Sequence, residues 1–363
     1  MNKRARVTRA AQCIQRRNVS RMPPIRFGVA YDFRNPASSG FDHPTLYGAV
    51  LEQIEWLDEK GLDLVWFTEH HFIDDGYLPS WIPIATAAAA RSKRVRFSAD
   101  ICLLPFNNPV RLAEDLAILD NVSNGRAEIG IGMGYADHEF RSFGIPRSRR
   151  VSLTDEGLDI LQRCFTGERF SYTGRRYTFN DVKITPGYVQ PGGPPLWIAA
   201  MSEPGALRAA RYAAHLLPQG PRDEVLDPWR TAMAAAGHDV SARRVGIIKS
   251  VLVTDDPERD WPSVRAAERY RMRSYGDLAT DSRHSPGNKA ATYANPALIP
   301  QTWVVGDVAA CVDGLVDFIR TFGVTDIVTW ALPPGFHPRR MDDSLERFAT
   351  DVAPRVRERL SVQ

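Results

Sequence analysis

The sequence predicts an α/β chain folded as a single (β/α)8 TIM barrel with insertions, on three observations. Short β-branched or apolar runs alternate with longer amphipathic stretches from Ile25 almost to the end. Eight such runs can be marked, and no shift in composition divides the 363 residues. Repeated βα units imply parallel strands, because parallel neighbours need a crossover connection. The barrel takes about 250 residues before insertions, so the chain has room for one. An open doubly wound sheet is the alternative arrangement of the same alternation.

The elements follow in order. Ile25–Tyr31 is the first strand. Thr45–Lys60 carries Leu46, Val50, Ile54 and Leu57 on one helical face and closes at Gly61. Leu64–Thr68 is a buried strand, Ile84–Ala90 a helix and Val95–Leu104 a strand. Pro109 suits the start of the Pro109–Asp120 helix. Ala127–Gly132 is a strand and Leu153–Phe165 a helix, and Ser171–Thr178 reads as an inserted hairpin. Alternation resumes with strand Pro195–Ala200, helix Gly205–Ala214, strand His215–Leu217, helix Val225–Ala236 and strand Val245–Val253. A charged helix, Pro257–Tyr275, precedes Gly276–Gln301, which has no period. Asp307–Thr321, Thr325–Trp330 and Leu345–Leu360 complete the chain as helix, strand and helix.

Composition excludes several classes of function. At 44% hydrophobic and 25% charged residues the chain can bury a full core. The longest apolar run, Ile82–Ala90, is broken by Pro83 and falls short of the roughly 20 residues that span a bilayer. No membrane partner is expected. Cys13, Cys102, Cys164 and Cys311 form no CxxC pair. That fits a reducing, cytoplasmic compartment and no thiolate metal site. Met1–Met22 holds seven of the 46 basic residues and no acidic one, so the remainder carries a net −4. We read residues 1–22 as a solvated basic tail and 23–363 as the folded domain, with no nucleic-acid partner.

In a barrel the chemistry collects just past the strands. Glu69-His70-His71 follows the second strand, and neighbouring residues on a strand point to opposite sides. One imidazole is then expected at the mouth for proton transfer, with the other supporting it. Gly132-Met133-Gly134-Tyr135 follows the fourth strand without the apolar helix a dinucleotide fingerprint requires. It reads either as backbone left bare for a flat ligand or as a tight turn. Ala200-Met201-Ser202 opens a helix whose first amides can take a phosphate. Asp100 and Phe106 lie in and after the third strand, and Arg283, His284 and Lys289 fall within Gly276–Gln301, read as a mobile lid.

Trp66-Phe67-Thr68-Glu69-His70-His71-Phe72 and Leu104-Pro105-Phe106-Asn107-Asn108-Pro109-Val110-Arg111, with Leu119 to Arg126 behind them, resemble the bacterial-luciferase-like family of flavin-dependent monooxygenases. The resemblance runs from Ile25 to about Val356. It implies a barrel, usually dimeric, that holds reduced FMN supplied by a separate flavin reductase and uses O2 to oxygenate a small organic substrate. By position His70 matches the family's catalytic histidine, with Glu69 or His71 to orient it. Asp100-Ile101 matches a frequent cis non-proline peptide behind the flavin ring, and Met201-Ser202 the phosphate turn. Met133 stands where some members carry a phosphate-binding arginine. That departure leaves open the deazaflavin F420 and a hydride-transferring oxidoreductase on the same barrel, with Arg208 or Arg141 as substitute cations.

Overall fold

The computed structural model describes residues 22–218, 223–280 and 303–361. The basic tail up to residue 21 and the candidate lid residues Arg283, His284 and Lys289 lie outside the described residues.

Strand β1 (Arg26–Tyr31) is apolar and buried over nearly its whole length. Helix α1 (His43–Glu59) begins where the Asp42 carboxylate accepts the Thr45 amide at 2.9 Å, and it buries Leu46, Val50, Ile54 and Leu57. Strand β2 (Leu64–Phe67) is buried on both faces, as a strand covered by helices should be. Helix α2 (Trp81–Arg91), strands β3 (Arg96–Ala99) and β4 (Cys102–Leu103), and helix α3 (Pro109–Ser123) follow. In α3, Asn108 caps the first turn and Asn124 ends the helix in the left-handed region at φ 55°.

Strand β5 (Ile129–Gly132) leads into a short helix α4 (Asp137–Ser142), and α5 spans Arg150–Phe165. The inserted hairpin is present as antiparallel β6 (Phe170–Thr173) and β7 (Thr178–Val182). Strand β8 (Leu196–Ala200), helix α6 (Glu203–Arg211), strand β9 (His215–Pro218) and helix α7 (Asp223–Ala235) follow. Next come β10 (Gly246–Ile248), β11 (Ser250–Val253) and the long helix α8 (Pro257–Thr280). The chain closes with β12 (Trp303–Gly306), α9 (Val308–Phe322), β13 (Asp326–Trp330), α10 (Asp342–Arg347) and α11 (Ala353–Ser361).

The architecture is α/β with curled parallel sheets. One sheet runs β10-β13-β1-β2-β3 and another β4-β5-β8-β9, with β11 and β12 as a parallel pair. Single parallel bridges, Phe97 to Ala127 and Leu216 to Val245, link the two larger sheets. Trp66 and Trp197 meet edge to face at 5.9 Å inside the curl. A side chain at Gly246 would strike the Trp66 indole, its Cβ falling 2.5 Å from the ring, so that position has to be bare.

Three boundaries differ from the sequence reading. Val95–Leu104 is two strands, because the chain leaves β2 and turns to β5 at a cis peptide between Asp100 and Ile101. Val245–Val253 divides for the same reason, with β10 pairing to β13 and β11 to β12. The charged helix continues past Tyr275 to Thr280, so the first residues of the predicted lid are helical; Leu278 is buried there and carries the helix on. Among the described residues no helix is long and apolar enough to cross a membrane.

Candidate functional site

Trp66 faces the enclosed interior, and its register partners are Ala30 on β1 and Ser98 on β3. Side chains alternate along a strand, so two residues further on the same face carries Asp32, Thr68 and Asp100 at the carboxyl ends. The Thr68 and Asp100 amides continue the pairing by donating to the Tyr31 and Phe67 carbonyls. Withdrawal from water lifts the Asp100 carboxyl to about 7.

The two histidines past β2 have separate surroundings. His70 is buried, and its Nδ1 lies 2.8 Å from Oε1 of Glu139 on α4. Its ring meets Tyr77 at 5.0 Å, Tyr135 at 5.5 Å and Tyr275 at 6.0 Å. His71 turns the other way, into Phe106 at 5.7 Å and Phe143 at 4.8 Å, with its Nε2 3.1 Å from Glu69 Oε1. Glu69 is therefore the partner of His71, and the carboxylate on His70 is Glu139. Burial pushes the Glu139 carboxyl up, but the hydrogen bonds from His70 and from the His71 amide (2.9 Å) outweigh it and hold the group below its ordinary range.

Sequence reasoning missed Glu139. Residues 137–142 form α4, with Glu139 and Phe140 turned inward. That run offers only a carboxylate beside a phenylalanine, and nothing in it points back to His70, 69 positions earlier.

The tyrosines belong to a hydrogen-bonded frame. The Tyr77 hydroxyl donates to Thr68 Oγ1 at 2.7 Å and lies 2.9 Å from the Tyr275 hydroxyl. Burial, with Asp32 nearby, pushes the Tyr275 phenol up to about 12 against the opposing Arg34 guanidinium. Arg34 lies over the Tyr77 ring at 4.4 Å and bonds Asp75 at 2.5 Å and Ser274 at 2.8 Å.

The remaining candidates sit around the same end of the strands. The space a Cβ would need at Gly132 is taken by the Ile101 side chain. Close packing against Ile101 accounts for a bare backbone there. Met133, Gly134 and Tyr135 are half-buried in the loop from β5 to α4. Ala200 ends β8, and Ser202 stands at the N-cap of α6 with no side-chain bond to the helix.

Helices α5 and α6 run side by side in the same direction. Arg208 Nε donates to Asp155 at 2.5 Å and the Tyr212 hydroxyl to Asp159 at 2.7 Å, each pair 53 residues apart. Continued toward the amino ends, that register sets Arg150, the first residue of α5, beside Glu203, the first of α6. The first amides of α6 therefore start beside Arg150, whose own amide donates to the Arg147 carbonyl, an arrangement suited to a phosphate. Arg147 lies 3.0 Å from Asp137, and burial together with Arg147 lowers the Arg150 guanidinium from its ordinary range. An anion arriving there would be stabilised. Arg208 is committed to Asp155. Among the described residues no group of His, Cys, Asp and Glu is placed to hold a metal ion.

The model of the luciferase-like monooxygenases matches residues 25–326. The chain is 29% identical over 324 residues to the 4-hydroxyprotoasukamycin monooxygenase of Streptomyces nodosus subsp. asukaensis, covering 84% of this chain and 85% of that one. It is 30% identical over 212 residues to the protein y4vJ of Sinorhizobium fredii, covering 57% of this chain and 60% of that one. Among solved structures, monooxygenase RslO1 from Streptomyces bottropensis superposes with a TM-score of 0.79 at 24% identity over 91% of this chain and 99% of that one. The oxygenating constituent of 3,6-diketocamphane monooxygenase from Pseudomonas putida, in complex with FMN, superposes at 0.75 with 18% identity over 92% and 98%. An F420-dependent secondary alcohol dehydrogenase gives 0.74 with 17% identity over 92% and 99%. These likenesses, joined to a histidine pair at the carboxyl end of β2, show that the chain belongs to the luciferase-like monooxygenase family.

Proposed function

We propose that this chain is the oxygenating component of a two-component system, taking reduced FMN from a separate reductase and using O2 to oxygenate a small organic substrate. The observation that carries the reading is His70: a buried imidazole whose Nδ1 is committed to a carboxylate, leaving Nε2 as the nitrogen for proton transfer. It stands among three tyrosines past the second strand, in the position that the resemblance gives to the family's catalytic histidine.

The residues present fit the cofactor. The paired starts of α5 and α6, with Ser202, Arg150 and Arg147, suit a phosphate tail, and Asp100, Ile101 and Met133 to Tyr135 lie at the strand ends where its ring would rest. Bound reduced flavin supplies the electrons that activate dioxygen. The chain's own part is to hold that group and to keep water away with Tyr77, Tyr135 and Tyr275. His70 gives and takes the proton.

The same reading includes a closed eight-stranded barrel, which the bridges at Phe97 and Leu216 support. It includes a homodimer as well, for which exposed Ile118 and Val122 on α3 offer an apolar face. Free buried thiols at Cys102, Cys164 and Cys311 suit a reducing cytoplasm.

A second reading, hydride transfer with F420, is favoured by one observation: Met133 brings no cation to the cofactor's phosphate. Titrating the cofactor-free protein with FMN, reduced FMN and F420 separates the two. Micromolar binding of reduced FMN with substrate-dependent oxygen uptake is the expected result. Binding of F420 alone, with no oxygen uptake, overturns it.

A further inference from the structure

We propose that Glu139 is the positioning residue of this site, fixing which nitrogen of His70 carries the proton and keeping the other free for transfer. The inference rests on the acid/base role of His70 only for its effect on turnover; its effect on the imidazole stands by itself.

The Glu139 side chain is fully buried, and its two oxygens are used unequally. Oε1 takes both the His70 ring nitrogen at 2.8 Å and the His71 amide at 2.9 Å, whereas Oε2 is buried without a hydrogen-bond partner. An ionised carboxylate only accepts, so Nδ1 of His70 must be the protonated nitrogen of the neutral ring. The lone pair is then confined to Nε2.

Among the described residues no other carboxylate bonds His70. Tyr77, Tyr135 and Tyr275 contact the ring, and burial holds the Tyr77 and Tyr275 phenols above their ordinary range. Arg34 lies behind Tyr77 and Tyr275 and is paired with Asp32 and Asp75. Glu69 is on His71, and from α4 His138 bonds the His71 carbonyl at 3.1 Å while Asp137 pairs with Arg147. The carboxylate on the imidazole comes from a six-residue helix 69 positions along the chain. The adjacent Glu69, which proximity in sequence suggests for the task, does not perform it.

The test is nitrogen-15 NMR of histidine-labelled, cofactor-free protein, comparing the full chain with Glu139→Gln and Glu139→Leu. In the wild type the neutral His70 ring should be the Nδ1–H tautomer. Glu139→Gln keeps an accepting oxygen and should keep that tautomer, whereas Glu139→Leu removes it and should bring the Nε2–H form to a comparable population. An Nε2–H ring in the wild type overturns the proposal, as does a ring that stays wholly Nδ1–H in Glu139→Leu. In turnover, kcat should fall about tenfold in Glu139→Leu with KM held, and far less in Glu139→Gln. If the enzyme proves to use no flavin, the NMR result still decides the role of Glu139.

Discussion

Arg271, on α8, reaches Asp32 at the end of β1 across a 239-residue separation, its Nε 2.9 Å from the carboxylate. The same guanidinium bonds Glu268 and, at 2.7 Å, the Leu332 carbonyl, and all three side chains are buried. With Tyr270 on Asp75 at 2.9 Å, this ties α8 over the strand ends beside His70.

Replacing Arg271 by Met should therefore be costly. It leaves Glu268 buried without its cation and Asp32 with Arg34 alone, at 3.6 Å, and breaking such a set by one partner costs about 3–5 kcal/mol. Denaturant unfolding should show a loss of that size, against under about 1 kcal/mol for Arg339→Met, whose pairing with Glu52 is exposed. Equal losses would remove Arg271 from the anchoring of α8.

His70→Ala and His71→Ala should differ in kind. On the proposed function, the first removes the proton-transfer group and should lower kcat by about 100- to 10,000-fold with reduced-flavin binding nearly unchanged. The second opens the pocket between Phe106 and Phe143 and strands Glu69, so stability should fall while turnover in the surviving fold drops far less. Stopped-flow turnover beside thermal melts separates the two effects.

Arg150→Ala should weaken FMN by roughly tenfold or more, the value of one charge-assisted hydrogen bond. Riboflavin, which lacks the phosphate, should bind both proteins alike. Fluorescence titration with the two flavins reads the difference, and a parallel loss for riboflavin would exclude a phosphate role.

Acid should act first on the amino ends of the strands. Burial pushes the Glu128 carboxyl up, but Arg26 and Arg96 outweigh it and hold it at about 2. A carboxyl lowered on folding stabilises the native state above its unfolded value and loses that contribution as pH falls toward 2, here on the order of 3 kcal/mol. Burial pushes Asp326 up despite Arg26 and Arg244, which gives the opposite sign and offsets part of the loss. Glu128→Gln should flatten the acid limb of stability. Tryptophan fluorescence should report it, since Trp197 donates its indole N–H to Glu128 at 2.8 Å.

The legible parts of this molecule were local. The apolar run Leu64–Phe67 and the four–four–three spacing on α1 name their own structure, because each element's burial is written in its own residues. The His70–His71 divergence also followed, since alternation is a property of one strand. What escaped depends on distant partners. Asp32 gives no sign of Arg271, nor His70 of Glu139, and the split at Asp100–Ile101 records a change of neighbour that no spacing encodes. Strand β12 was passed over because four residues next to an aperiodic stretch carry too little pattern.

Arg26, Arg96, Glu128, His215, Arg244 and Asp326 all lie where strands begin, whereas His70, Asp100, Tyr135 and Ser202 lie where strands finish. The ion-pair floor and the rim that carries the candidate site are thus opposite ends of one curled wall. Loops at the rim are free to drift toward new substrates while the floor keeps the scaffold upright, so selection for altered chemistry and selection for persistence draw on different residues.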